Sequence, residues 1–380
     1  MMHSKLPHTG TTIFTVMNEL AREHNALNLS QGFPDFAVPE VLLDRVNHHL
    51  RIGHNQYAPM PGIPELRYQL QQKIAACYGI NTNADTEITI TSGATEALFS
   101  AIQAFVGSGD EVIVFDPAYD CYEPAVTLAG GTCIHLPLRA PDFAIDWQRF
   151  ESALSNKTRL VIINSPHNPT GAVIQRSDLD TLNTLIAKRN ILVLSDEVYE
   201  HIIFDGHRHE SLLTHPELRE RSLVVSSFGK TYHATGWKIG YCVAPFALMQ
   251  EFRKVHQFNQ FCVATPLQYA LADYLRDAPE HYRELPDFYE AKRNYFCKLL
   301  ADSRFTLKAS SGTYFQLLDY SGVSDKADTV YAKQLTVDAG IASIPVSVFY
   351  SRPPKQKLLR FCFAKDNSTL EKAAEILCEI

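Results

Sequence analysis

Four short polar runs in this sequence each follow an apolar run, and each carries side chains able to do chemistry. They are Thr91-Ser92-Gly93-Ala94-Thr95-Glu96, Asn164-Ser165-Pro166-His167-Asn168-Pro169-Thr170-Gly171, Ser195-Asp196-Glu197-Val198-Tyr199 and Ser226-Ser227-Phe228-Gly229-Lys230. The first combines hydroxyls and a glycine at a strand-to-helix junction, where backbone N–H groups and the positive helix end can hold a phosphate. Asn168-Pro169-Thr170-Gly171 is equally a good turn sequence. Asp196 follows Ile191-Leu192-Val193-Leu194 directly, which sets a carboxylate at the mouth of a buried strand; a capping aspartate is the plainer reading. Lys230 follows Val224-Val225 and a Ser-Ser-Phe-Gly turn. Taken alone it is a solvated loop lysine, but a free lysine titrates near ~10.4, and a site that depresses this value supplies a neutral amine. A fifth feature is Arg360 within Leu358-Leu359-Arg360-Phe361-Cys362-Phe363, where an unpaired guanidinium in an apolar strand is costly and calls for an anion.

The elements that must position these residues form a pattern. From Glu87 to Val243, β-branched runs alternate with helical stretches, as in a parallel sheet covered by helices, which makes an α/β core. The clearest strands are Glu87–Thr91, Glu111–Phe115, Thr132–His135, Arg159–Ile163, Ile191–Leu194 and Ser222–Val225, with Lys238–Val243 as a further one. Ligands collect beyond the carboxyl ends of such strands, where the polar runs fall. Beyond Cys262, long amphipathic stretches precede short strands at Arg304–Lys308, Thr313–Leu318, Ile341–Ile344 and Lys357–Phe361 and a closing helix at Ser368–Glu379. We expect a large domain over 41–270 and a small α+β domain built from 271–380 and the N-terminal arm 1–40, whose Gly32-Phe33-Pro34-Asp35-Phe36 reads as a loop.

Five segments, Asn28 to Phe36, Asn55-Gln56-Tyr57-Ala58-Pro59, Phe115 to Pro124, the Asn-Pro-Thr-Gly run and Ser226 to Tyr241, carry a family resemblance. From about Leu29 to Lys365 the chain resembles the fold-type I, class I/II aminotransferases dependent on pyridoxal 5′-phosphate (PLP). Within them it resembles the kynurenine aminotransferase and glutamine transaminase K subgroup, and especially bacterial methionine aminotransferase-like members. The resemblance implies that fold, that cofactor, and a ping-pong transfer of an amino group to a 2-oxo acid through a lysine aldimine. Lys230 would carry the cofactor and serve as base and acid of the proton shift. Asp196 would pair with the ring nitrogen, Tyr199 and Asn168 with the ring 3′-oxygen, and Tyr119 would stack on the ring. The phosphate would be held by the Gly93 and Ala94 backbone, Ser227 and Lys238; many relatives have Arg at this last position, so a point-charge donor replaces a fork. Tyr57 would reach the same phosphate from a partner subunit, which implies a homodimer with shared active sites. Arg360, with Gly32 and Asn168, would hold the substrate carboxylate.

The subgroup resemblance and the aromatics Phe33, Tyr57, Tyr119 and Tyr122 point to a large neutral L-amino acid, methionine first, then aromatic or glutamine-like donors; no second arginine offers itself for a side-chain carboxylate. A PLP-dependent C–S β-lyase acting on sulfur amino acids is the alternative, since it uses nearly the same residues.

Other classes find less support. Thirty-five basic against 42 acidic side chains give a net charge of -7, which argues against nucleic acid or an anionic membrane as partner. The stretch Met1 to Pro7 has no apolar core, and no apolar run approaches the ~18 residues of a bilayer span, so a cytoplasmic location is expected. The 8 cysteines, without a closely spaced pair, read as reduced packing residues rather than disulfides or metal ligands. Gly107-Ser108-Gly109-Asp110 precedes its strand, unlike a dinucleotide fingerprint, and His207 and His209 read as a surface loop rather than a metal site.

Overall fold

The computed structural model describes residues 4–7 and 9–380, so the start of the Met1 to Pro7 stretch lies outside the described residues. Helix α1 (Ile13–Glu23) leads to a two-residue strand, β1 (Leu27–Asn28), then to helices α2 (Glu40–Arg51) and α3 (Pro64–Tyr78). The main sheet follows: β2 (Ile88–Thr91), then α4 (Gly93–Phe105), β3 (Glu111–Asp116), β4 (Thr132–Pro137), β5 (Thr158–Asn164), β6 (Leu192–Asp196), β7 (Ser222–Ser227) and β8 (Gly240–Val243). Its order is β2-β8-β7-β6-β5-β3-β4. All pairings from β7 to β4 are parallel, whereas β8 runs antiparallel to both β7 and β2.

The strands are continuous apolar runs because both faces are covered by helices. Successive side chains go to opposite faces. Ile113, Val161, Ile163, Val193 and Val224 belong to one buried cluster, while Val112, Val114, Leu160, Ile162, Leu194 and Val225 belong to another on the far side.

The second sheet, β9 (Phe315–Asp319), β10 (Ile341–Ala342), β11 (Ile344–Pro345) and β12 (Leu358–Cys362), is split. β10 pairs with β1, and β11, β12 and β9 form an antiparallel trio. Its core joins Phe315, Phe361 and Phe363 to Met17 of α1 and to Leu370 and Leu377 of the closing helix Asn367–Glu379. Two expectations are corrected here. Arg304–Lys308 is not a strand, and only Thr306 bridges to Asp319. The Gln316 side chain takes the backbone groups a ladder would need, donating to the Lys308 carbonyl at 2.7 Å and accepting from Ser310 N at 3.1 Å. Ile341–Ile344 is not one strand either, because Ser343 separates β10 from β11. Helix Thr265–Asp277 runs across residue 270 and buries Ala270, Leu271 and Tyr274 in the main-sheet core.

Candidate active site

At the edge of the main sheet β2 turns into α4. Ser92 at the N-cap makes no side-chain capping bond, and Gly93 takes φ +71°, a left-handed conformation suited to glycine. A Cβ on Gly93 would lie 3.3 Å from the Cε of Lys238, and one on Gly240 would lie 2.9 Å from the Ala94 nitrogen. The two glycines let the helix start, the lysine and β8 close together. Lys238 Nζ donates to Thr95 Oγ1 at 3.5 Å, and Ser227 accepts from Gly229 N at 3.1 Å. A helix N-terminus, an ammonium and a hydroxyl thus line one end of a single pocket, the chemistry of an anion site. Tyr119 lines the same pocket, and burial pushes its hydroxyl up.

At the other end β6 delivers Asp196, which is 4% exposed. Its Oδ2 accepts from the Tyr122 hydroxyl at 2.6 Å. Burial pushes the carboxyl up to about 6, against the bond from Tyr122. Between the two ends stands Lys230, on the short helix Phe228–Thr231 that follows β7. Its Nζ donates to the Gly32 carbonyl at 3.2 Å and lies 5.7 Å from the Tyr199 ring centroid. Burial lowers its pKa to about 8. Tyr199 is buried with its ring edge-on to Tyr314 at 5.2 Å, and the Tyr314 hydroxyl donates to the same Gly32 carbonyl at 2.5 Å.

The third group comes from the second sheet. Arg360 of β12 is 1% exposed and its guanidinium stacks 3.9 Å over Phe315. Nη1 donates to Asn168 Oδ1 and Nη2 to the Ser30 carbonyl, both at 2.9 Å, so its bonds go to neutral oxygens and not to a carboxylate. Its Nε has no partner among the described residues. Asn168 is itself fixed, because its N–H donates to Asn164 Oδ1 at 2.8 Å while Asn164 Nδ2 donates to the Asp196 carbonyl at 2.9 Å.

Gly93, Ala94, Tyr119, Asn168, Asp196, Tyr199, Ser227, Lys230 and Lys238 therefore line one pocket, and Gly32 and Arg360 adjoin it through their bonds to Lys230 and Asn168. Tyr57 stands apart, 83% exposed, with its ring 5.5 Å from Phe261. Two readings of individual residues are corrected. Tyr122, grouped with substrate-side aromatics, is buried with its hydroxyl on Asp196. His209 does not lie on the surface, since its side chain is buried with Nε2 2.8 Å from Glu197 Oε2. Thr95, given no role of its own within the Thr91 to Glu96 run, and Tyr314 also join the site. Thr95 had a signal, a hydroxyl in the first helical turn, whereas Tyr314 lies in an aromatic run with nothing local to mark it.

The chain matches the family described as aminotransferase class I and II over residues 24–377. It is 54% identical to the methionine aminotransferase of Escherichia coli strain K12, over 99% of this chain and 98% of that protein. With human kynurenine–oxoglutarate transaminase 3 it shares 36% identity over 97% of this chain and 87% of that protein. A solved Escherichia coli structure, described as identifying a methionine aminotransferase function, superposes with a TM-score of 0.98 at 54% identity, covering 100% of both chains.

Proposed function

We propose, for a chain that belongs to the class I and II aminotransferase family and is an aminotransferase, that its cofactor is PLP and its amino donor a large uncharged L-amino acid, methionine first. Members of this family are PLP-dependent. The observation that carries the reading is Arg360, a buried guanidinium without a carboxylate partner, one hydrogen bond through Asn168 from the pocket that holds a lysine of lowered pKa. A cation so placed binds an incoming carboxylate bidentately.

The residues present fit the cofactor. The uncapped start of α4, with Gly93 and Ala94, and the side chains of Ser227 and Lys238 would hold its phosphate. Asp196 would face the ring nitrogen, Tyr199 and Asn168 the ring oxygen, and Tyr119 the ring face. When bound, the group supplies an aldehyde that links to amines and a ring that takes up the electrons released at the substrate Cα. The chain does the rest. Near pH 7 a lysine titrating at about 8 holds roughly a tenth of its population neutral, enough for Lys230 Nζ to accept a proton and return it. Asp196, held by Tyr122, would serve as the anion that keeps the ring nitrogen protonated. Arg360 orients the α-carboxylate, and Asn168, bonded to Arg360, ties that grip to the pocket.

Methionine ahead of aromatic donors and glutamine is supported by the identity to the Escherichia coli enzyme, and a 2-oxo acid as acceptor by the likeness to kynurenine–oxoglutarate transaminase 3. We take the enzyme to be a cytoplasmic homodimer with shared sites, its large domain over 41–270 and its small domain over 1–40 and 271–380. Exposed Tyr57, Phe258 and Phe261 support a partner at that face, and no helix of the described residues is long and apolar enough to cross a membrane. Single-amino-acid half-reactions followed by holoenzyme absorbance test the donor. Methionine should convert the cofactor fastest and aspartate slowest, and the reverse order would sink the reading.

A further inference from the structure

The run Asp196-Glu197-Val198-Tyr199-Glu200 sends Asp196, Val198 and Tyr199 to the pocket lining. Its two glutamates, 2% and 6% exposed, are bonded elsewhere. Glu197 accepts from Ser195 Oγ at 2.7 Å and Leu212 N at 3.0 Å. Glu200 gathers a larger set. Its Oε1 accepts from Lys73 Nζ at 2.7 Å, Tyr241 OH at 2.6 Å and Ser226 Oγ at 2.6 Å, and its Oε2 from the Tyr78 hydroxyl.

These donors come from different elements. Lys73 and Tyr78 lie on α3, Ser226 on β7 and Tyr241 on β8, where it faces Ser226 in register. Ser226 directly precedes Ser227, and the helix carrying Lys230 begins at the next residue. Tyr199 directly precedes Glu200, in a turn beyond the end of β6; Glu200 N to Glu197 O at 2.9 Å and Ile202 N to Tyr199 O at 2.8 Å close it, while Glu197 N to Val225 O at 2.8 Å and Ser226 Oγ to Glu197 O at 3.3 Å tie its start to β7. A buried ion pair is weak evidence for stability, because apolar side chains of similar volume fill such a space as well. Donors converging on one carboxylate instead define an orientation.

We propose that Glu200 is a positioning residue for the reaction: its carboxylate locks the turn that presents Tyr199 against the strand end that presents Ser227 and Lys230. This rests on the reading of Tyr199 as a donor to the cofactor's ring oxygen. Such a donor stabilises negative charge on that oxygen and holds down the pH at which the holoenzyme's visible absorption changes.

The test compares holoenzymes of wild type, Tyr199→Phe and the double variant Lys73→Met/Glu200→Gln, which removes both charges so that neither is left buried alone. In the double variant the absorbance midpoint should rise by about one pH unit, a tenfold change in proton affinity, in the same direction as in Tyr199→Phe. Its kcat should fall with KM little changed. Ser226→Ala and Tyr78→Phe, which leave the ion pair in place, should give smaller shifts of the same sign and decide the matter if the double variant does not fold. Midpoints equal to wild type in the folded variants, with Tyr199→Phe shifted, would overturn the role of Glu200 alone. An unshifted Tyr199→Phe would overturn the reading beneath it as well.

Discussion

Two lysines sit near the carboxyl ends of the main sheet, Lys73 buried and Lys230 half-buried, and the chain treats them in opposite ways. Burial pulls Lys73 down, yet the charge of Glu200 and its bond at 2.7 Å outweigh that and raise it well above the ordinary lysine range. Burial pulls Lys230 down to about 8, the charges of Lys238 and Arg360 push the same way, and Asp196 offsets only part of this. The same side chain is a fixed cation where a carboxylate meets it and a proton acceptor where none does. Desolvation is common to both, so the bonded counter-charge decides which lysine can do chemistry.

The strongest way to break this contrast is to remove each lysine in turn. Lys230→Ala should lower kcat by at least roughly 10²- to 10⁴-fold, the usual worth of a positioned proton-transfer group, while urea unfolding of the apoprotein stays close to wild type. Lys73→Met should cost stability first, with a far smaller loss of kcat that acts through Glu200. With Glu200 left buried and unpaired, stability should drop by about 3–5 kcal/mol, and Lys73→Met/Glu200→Gln should recover most of it. Turnover lost in Lys73→Met as deeply as in Lys230→Ala, without loss of stability, would erase the distinction.

Arg360 extends the contrast to a cation that cannot discharge. It stays charged, stacked on Phe315, and its unmet bonding capacity is what a substrate carboxylate would use. Arg360→Lys keeps the charge and loses the fork. We expect kcat/KM to fall by roughly 10- to 150-fold, the equivalent of about 1.5–3 kcal/mol, and by the same factor for methionine, phenylalanine and glutamine. A loss confined to one donor would assign Arg360 to side-chain recognition instead.

Much of this was legible in the sequence, for reasons visible in particular residues. Continuous runs such as Val112-Ile113-Val114-Phe115 announce a strand buried on both faces, and the polar residues that follow such runs must emerge at the ligand-binding edge of the sheet. Hence Asp196, Asn168 and Lys230 could be selected by position. Arg360 was legible because a guanidinium in an apolar strand is unusual. Long-range pairings were not. Nothing near Glu200 points to Lys73, 127 residues away, and nothing near Gln316 shows that its amide will replace a strand at Lys308. Tyr122 was misassigned for the same reason, since an aromatic in a loop carries no mark of whether its hydroxyl meets substrate or a buried carboxylate.

Tyr122 supplies the smallest and most discriminating effect. Its hydroxyl donates to Asp196 at 2.6 Å, which favours the ionised carboxylate and works against the burial that holds the group at about 6. Tyr122→Phe removes the donor with little change of volume. A net hydrogen bond of about 0.5–1.5 kcal/mol corresponds to a shift of up to about one pH unit, upward, because the neutral acid gains relative to the anion. The acidic limb of the kcat profile should move up by that amount, with the plateau at high pH nearly unchanged. Linkage fixes the sign for stability. The folded pKa of Asp196 lies above the ordinary carboxyl value of 3.8, so its contribution is fully present below that pH and is lost as pH rises through about 6. Tyr122→Phe should move the upper end of that window upward in apoprotein melts, and only in folded protein, since the unfolded chain feels no tyrosine. A downward shift of the acidic limb would mean that Tyr122 does not stabilise the ionised form, and that burial alone sets the charge of Asp196.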